Sequence, residues 1–96
     1  MEIEDFTTFN IDFTIADKFG VNAIIDTYER AFNEWKNDYK YLTFLVLNLN
    51  HKIWEHYEKH NDEYATLYDK LWRQADEYAI DHLKGDELHY YISVLD

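Results

Sequence analysis

The stretch YKYLTFLVLNLNHKIWEHY, residues 39–57, decides the fold of this 96-residue chain. Its apolar residues recur at helical spacing, and no charged residue occurs within residues 41–49. Because Phe44 and Leu47 make the first half apolar on nearly every side, this half is typical of a helix that its neighbours bury. We therefore expect a central helix whose first half is core and whose second half emerges toward solvent.

Two amphipathic segments flank this stretch, and each carries an apolar seam at helical spacing. The seam before it comprises Val21, Ile25, Tyr28, Phe32, Trp35 and Tyr39. The seam after it comprises Tyr64, Tyr68, Leu71, Ala75, Tyr78 and His82. We therefore expect three main helices, over about 21–37, 39–60 and 62–84, in a single acidic helical domain that spans residues 1–96.

Polar residues set the boundaries between these helices. No proline or glycine interrupts residues 21–60, so spacing alone leaves open a single helix about 60 Å long. A globule of this size offers nothing long enough to cover such a rod, and Asp38 can cap a second helix. We therefore expect two helices that meet near residues 37–39. The polar pair at 61–62 can cap the third helix, and Gly85 provides its C-terminal stop.

The two ends of the chain are less regular than its middle. Residues 1–13 end in an apolar and polar alternation that is typical of a strand, so we expect an extended arm followed by a turn of helix before Gly20. Residues 86–96 also alternate and predict a short strand or a last helical turn. Two extended ends would form a two-stranded ribbon on the helices. The expected fold class is therefore mainly all-α, a compact bundle of three main helices around a central hydrophobic helix, with the minor ribbon left open.

Charge determines the kind of partner that the chain can bind. Twenty Asp and Glu against nine Lys and Arg give a formal net charge of -11. Such a field repels nucleic acid and anionic membranes and attracts basic surfaces. We therefore expect a basic protein partner, no direct contact with nucleic acid and no membrane. The chain has no cysteine, which excludes disulfides and fits the cytoplasm.

A histidine pair near the end of the central helix is the most site-like cluster. His56 and His60 lie four residues apart, which is the spacing of a helical zinc site. The neighbours on the same side are Lys52 and Lys59, whose charges oppose a cation. We therefore expect no metal and no cofactor. The clustered histidines and carboxylates would instead make the local charge depend on pH between roughly 5 and 7.

The residue types needed for covalent catalysis are nearly missing from the sequence. Ser93 is the only serine, cysteine is absent, and two isolated glycines cannot build a phosphate-binding loop. No spacing among the many carboxylates selects an acid and a base. We therefore expect a protein that is not an enzyme.

The expected third helix carries a row of carboxylates. Asp62, Asp69 and Asp76 repeat every seven residues, about 10.5 Å apart along one side of a helix. Such a row can imitate a phosphate backbone sparsely, although Arg73 should neutralise Asp69. An ordinary charged face is the alternative interpretation. The residues that we expect to contact a partner are His56, Tyr57, Asp62, Glu63, Tyr64, Asp69, Asp76 and Glu77.

Several phrases of the sequence resemble small acidic proteins encoded on phages, plasmids and integrative elements of Gram-positive bacteria. The likeness covers nearly the whole chain from Phe13 and rests on FTIADKFG, AIIDTYERAFNEWK, YKYLT, LNHKIWEHYEKH, LYDKLWRQADEYA and LKGDELHYY. The resemblance implies a counter-defence context, such as anti-CRISPR or antirestriction proteins that block a nucleic-acid-binding surface. It assigns no activity and no binding residue.

Charge, aromatic content and this resemblance together indicate a function class. We expect a non-enzymatic inhibitor, a partial DNA mimic in the bacterial cytoplasm, that docks on the basic nucleic-acid-binding surface of a CRISPR or restriction nuclease. The aromatic residues, 19% of the chain, would supply contacts to arginine among the acids. The alternative is a structural or regulatory helical module that self-associates, for example as a homodimer, with acidity serving only solubility.

Overall fold

The computed structural model describes residues 13–95, and these residues form five α-helices. The helices are α1 (Phe13–Phe19), α2 (Val21–Trp35), α3 (Tyr39–Glu58), α4 (Asp62–His82) and α5 (Asp86–Leu95). No strand occurs within this part of the chain. The expected all-α class is therefore confirmed.

Helix α3 lies in the middle of the helical bundle and contacts α2, α4 and α5, with α4 as its most extensive neighbour. Residues 41–49 supply much of the core, because Leu42, Leu45, Val46 and Leu49 have no exposed surface. Burial of apolar surface on this scale is the main force that holds such a domain together. Along residues 13–95, every helix is too short or too polar to cross a lipid bilayer.

Helices α2 and α3 are separate, as the polar residues between them predicted. The side chain of Asp38 caps α3, since its Oδ1 accepts hydrogen bonds from the backbone N–H of Lys40 at 3.0 Å and of Tyr41 at 3.4 Å. Asn61 caps α4 by accepting from the backbone N–H of Tyr64. Both caps satisfy donors that a helix start leaves without intrahelical partners.

The apolar seam expected for α2 differs from the buried face of that helix. The fully packed residues are Ile24, Tyr28, Ala31 and Trp35, whereas Val21 and Ile25 are only half-buried. Because Ile24 and Ile25 are both apolar, periodicity could not choose between them. Helix α1 packs against α2, so this short helix also covers part of the α2 surface.

The chain ends differ from the strand patterns read in the sequence. The expected arm lies outside the described residues except for Phe13, which begins α1, and the short helix before Gly20 is present. Residues 86–95 form α5, so the strand alternative is wrong for this segment and it supplies no strand to a ribbon. Its apolar residues Leu88 and Tyr91 also have helical spacing, and both pack on the core. A helix buries both residues on one face, and this burial outweighs the preference for a strand that the alternation indicated.

Candidate functional site

A group of polar side chains, mostly buried, joins α1 to α3 and α4. The carboxylate of Asp17 accepts hydrogen bonds from the Nζ of Lys52 at 2.8 Å, the Nε2 of His56 at 3.0 Å and the hydroxyl of Tyr68 at 2.5 Å. Lys52 also donates to the Oε2 of Glu55 at 2.7 Å. We call these five residues the Asp17 cluster. One carboxylate of a seven-residue helix thereby binds donors from two long helices.

The charges in the Asp17 cluster stabilise one another. Burial, the largest single influence, would raise the pKa of Asp17, but the hydrogen bonds from Lys52, Tyr68 and His56 and the Lys52 charge together lower it. Burial would likewise lower the pKa of Lys52, whereas its bonds to Asp17 and Glu55 raise it overall. The pKa of Tyr68 is raised by burial and by its bond to Asp17. The cluster therefore favours an ionised Asp17, a charged Lys52 and a neutral Tyr68.

The side chains of His56 and Tyr64 pack against this polar group. The His56 side chain is 5% exposed, its ring stacks on Tyr68 with centroids 5.5 Å apart, and it contacts Tyr64 edge-on at 5.3 Å. The hydroxyl of half-buried Tyr64 donates to the backbone carbonyl of Asp17 at 3.4 Å. Because α1 covers this end of α3, the expectation that the second half of α3 emerges toward solvent is wrong for His56.

The Asp17 cluster has the ligand types of a cation site, but a lysine fills it. Asp17, Glu55 and His56 each present a ligand atom, and these atoms lie within 4.8 Å of one another. The Lys52 ammonium bonds both carboxylates and so takes the position of a bound cation. The two histidines that the sequence offered as a metal pair are separated, since His60 lies beyond the end of α3 and is exposed.

The expected acidic row on α4 is partly used within the molecule. Asp69 pairs with Arg73 at 2.9 Å, as the spacing predicted. Asp76 accepts a hydrogen bond from the hydroxyl of Tyr91 in α5, and this bond together with burial raises the pKa of Tyr91. Asp62 is exposed at the start of the helix. The row is therefore not a free line of carboxylates.

The exposed residues of the expected site lie around the turn from α3 to α4. Tyr57 is 50% exposed, and its ring contacts that of Trp54, which is 61% exposed, with centroids 6.1 Å apart. Glu58, Asp62 and Glu63 are exposed beside them in the sequence. We call these five residues the aromatic corner. Glu77, the remaining expected residue, is exposed farther along α4.

Lys52 of the Asp17 cluster and Trp54 of the aromatic corner were not among the residues that the sequence led us to expect in a functional site. Lys52 lies one helical turn from Leu49 and His56 on the buried face of α3, and a lysine in such a position requires a buried anionic partner. Trp54 lies off the seam that runs through Leu49, Ile53 and His56, in the half of α3 that was expected to emerge toward solvent, but it was not named among the residues expected to contact a partner. The signal for Lys52 was present in the spacing, whereas nothing in the sequence named Asp17 as its partner.

The Asp17 cluster and the aromatic corner suit different roles. Most donors and acceptors of the Asp17 cluster pair with one another across three helices, whereas the buried Nδ1 of His56 has no hydrogen-bond partner among the described residues. Such pairing is typical of a buried polar network that fixes packing. The aromatic corner presents two large rings and three carboxylates to solvent, and exposed apolar surface rimmed by polar groups is typical of a protein interface.

No protein-family model, curated protein or solved structure matches this chain.

Proposed function

We propose that this protein is a non-enzymatic inhibitor that binds the basic nucleic-acid-binding surface of a host defence nuclease of the CRISPR or restriction type. The observation that carries the proposal is the exposed pair Trp54 and Tyr57 on a chain of net charge -11. Tryptophan and tyrosine are enriched among the residues that dominate binding energy at protein interfaces. Exposed rings of this size indicate a contact surface.

The charges near the pair favour a basic partner. Glu58, Asp62 and Glu63 are exposed, and the one lysine of the turn, Lys59, is paired with Glu55 at 3.5 Å. Carboxylates that surround an aromatic anchor attract guanidinium and ammonium groups and speed the encounter with a basic surface. The same charge opposes a second copy of the chain.

Within this proposal the acidic row contributes less than the aromatic corner. Asp69 and Asp76 are held by Arg73 and Tyr91, so Asp62, Glu63 and Glu77 are the exposed carboxylates that remain of those expected to contact a partner. Imitation of DNA is then partial and depends on net charge rather than on a phosphate-like spacing. Aromatic contacts would hold the complex after charge has steered it together.

The experiment uses tagged protein as bait in a lysate of a Gram-positive bacterium, at low and at high salt. A captured nuclease should be released by salt and by added DNA or guide RNA, because the acidic surface competes for the same basic channel. The purified nuclease should then lose DNA cleavage in the presence of the protein. Capture that neither salt nor nucleic acid affects, or a nuclease that still cleaves, would contradict the proposal.

A further inference from the structure

A groove between α2 and α4 lies outside both the Asp17 cluster and the aromatic corner. It has a volume of about 350 Å³ and is lined by Tyr28, Glu29, Phe32, Asn33 and Gln74. This volume is at the lower end of the range for sites that hold small ligands or single side chains. The groove is therefore large enough to receive one long side chain from a partner.

Two aromatic side chains of α2 line the groove. Tyr28 and Phe32 are four residues apart on α2 and stack with centroids 5.7 Å apart. Phe32 also contacts Tyr78 of α4 edge-on at 5.1 Å. Because Tyr28 is buried and Phe32 is half-buried, these contacts hold the rings in place before anything binds. A ring face held in this way is a prepared surface for a planar or cationic group.

The rim of the groove carries one negative charge and two amides. Glu29 is exposed and makes no ion pair with the residues that the structure describes. Asn33 lies one turn farther along the same face, and Gln74 faces them from α4. Side-chain oxygens of these three residues accept hydrogen bonds, and a carboxylate attracts a cation. The chemistry of the rim therefore suits a group with several donors and a positive charge.

A cation of the molecule itself already uses this aromatic surface. The Nζ of Lys36 lies 5.8 Å from the centroid of the Phe32 ring, within the distance of a cation–π contact. Lys36 is half-buried at the end of α2. Its position shows that the Phe32 ring can make a cation–π contact, and its own charge would compete with an incoming cation.

We propose that the groove receives an arginine side chain of a basic protein partner, with the guanidinium on Glu29 and its plane on the Phe32 ring. Arginine fits better than lysine, since its planar group stacks on aromatic faces and its five donors can serve a carboxylate and two amides together. The identity of the partner rests on the proposed function, whereas the ligand chemistry does not. The groove adds a second contact, on α2, to the aromatic corner.

The probe is a short peptide of alternating arginine and glycine, followed by NMR of the backbone amides, with a lysine and glycine peptide as comparison. The arginine peptide should shift the amides of the groove residues first. Glu29→Gln should weaken its binding about threefold or more, whereas Glu34→Gln, an equal charge loss at an exposed residue of the same helix, should change it less. Lys36→Ala should strengthen binding because it removes a competing cation.

Two results would overturn the inference. The first is equal weakening by Glu29→Gln and Glu34→Gln, which would show attraction to net charge alone. The second is equal binding of the arginine and lysine peptides together with no effect of Phe32→Leu, which keeps an apolar side chain but removes the ring. Peptide binding in the groove without inhibition of any nuclease would contradict only the proposed function, and inhibition without groove binding would contradict only this inference.

Discussion

Asp17 connects α1 to α3 and α4 through hydrogen bonds to Lys52, His56 and Tyr68. Asp17→Asn removes the charge that balances Lys52, and it leaves a buried ammonium with Glu55 as its remaining carboxylate. We expect a loss of about 2–4 kcal/mol in the free energy of unfolding, because removal of one partner leaves the other charge buried. Urea unfolding followed by circular dichroism measures this loss.

The matched control for Asp17→Asn is Asp81→Asn, the same change at an exposed residue of α4. It should alter the free energy of unfolding by less than about 0.5 kcal/mol, since exposed substitutions away from special contacts are nearly neutral. Equal effects of the two substitutions would mean that the Asp17 cluster does not stabilise the fold.

Three of the four buried tyrosines of the described residues, Tyr28, Tyr68 and Tyr91, should resist ionisation in alkali. Burial raises the pKa of Tyr28 to about 12 from its ordinary 10.0, and the Glu29 charge adds to this shift. Burial and a carboxylate partner also raise the pKa of Tyr68 and of Tyr91. A group with a raised pKa in the folded protein stabilises the fold below its unfolded pKa, and this contribution is lost as pH rises above it.

Absorbance of tyrosinate during an alkaline titration should therefore show a late step, in which Tyr28, Tyr68 and Tyr91 ionise only as helical circular dichroism disappears. A single step near pH 10 that includes all nine tyrosines, with the helices intact, would contradict the burial described for these rings.

The sequence predicted side-chain contacts within one helix better than side-chain contacts between helices. The Asp69 and Arg73 pair followed from a spacing of four residues within α4, and it is present. The Asp17 cluster joins residues of three helices, and its members Asp17 and Tyr68 are 51 residues apart in the sequence. No local spacing could therefore predict that they lie together. The exposure of Trp54 agrees with the expectation that the second half of α3 emerges toward solvent.

Among the secondary-structure elements, the start of α3 depends on one cap. Asp38→Ala should destabilise the protein by about 1 kcal/mol, because two backbone donors at the start of the central helix lose their side-chain acceptor. Asn37→Ala is the control, since Asn37 is exposed and lies just outside the cap. Thermal unfolding of the two variants measures the difference, and equal melting temperatures would show that the cap contributes nothing.

Acid should weaken the attachment of α1 through the carboxylates of the Asp17 cluster. The pKa of Asp17 lies below its ordinary 3.8, and the hydrogen bond from Lys52 holds the pKa of Glu55 below its ordinary 4.5. Groups with a lowered pKa stabilise the fold above their unfolded pKa, and this contribution is lost as pH falls through the folded values.

The free energy of unfolding of the wild-type protein should therefore decline below about pH 4 more steeply than that of Asp17→Asn, which has no carboxyl to protonate at this position. Urea unfolding at a series of acidic pH values measures both curves. Parallel curves would show that the pKa of Asp17 is not lowered by its three donors.

Helices with long apolar periodicity could be predicted from the sequence, and short terminal elements could not. Helices α2, α3 and α4 each follow a seam of several turns, and polar caps mark the starts of α3 and α4. In α5 the alternation of Tyr90, Ile92 and Val94 competed with the helical spacing of Leu88 and Tyr91. A segment of ten residues is too short for periodicity to decide, and packing of Tyr91 on the core determined the outcome.

For the whole molecule, net charge separates the proposed inhibitor from a self-associating module. Two copies of charge -11 repel each other at low salt, where screening is weak. We expect a monomer by sedimentation equilibrium at low salt, with no stable dimer at high salt. A dimer whose mass does not depend on salt would favour the structural or regulatory alternative.

Inhibition of the captured nuclease by Trp54→Ala, compared with Ile80→Ala, tests whether the aromatic corner is the binding surface. Both residues are exposed apolar side chains, Trp54 in the aromatic corner and Ile80 on α4. We expect Trp54→Ala to require about tenfold more protein for the same inhibition of DNA cleavage, as loss of an interface anchor implies, and Ile80→Ala to match the wild type within about twofold. Equal inhibition by wild type and Trp54→Ala would contradict the assignment of the aromatic corner as the binding surface.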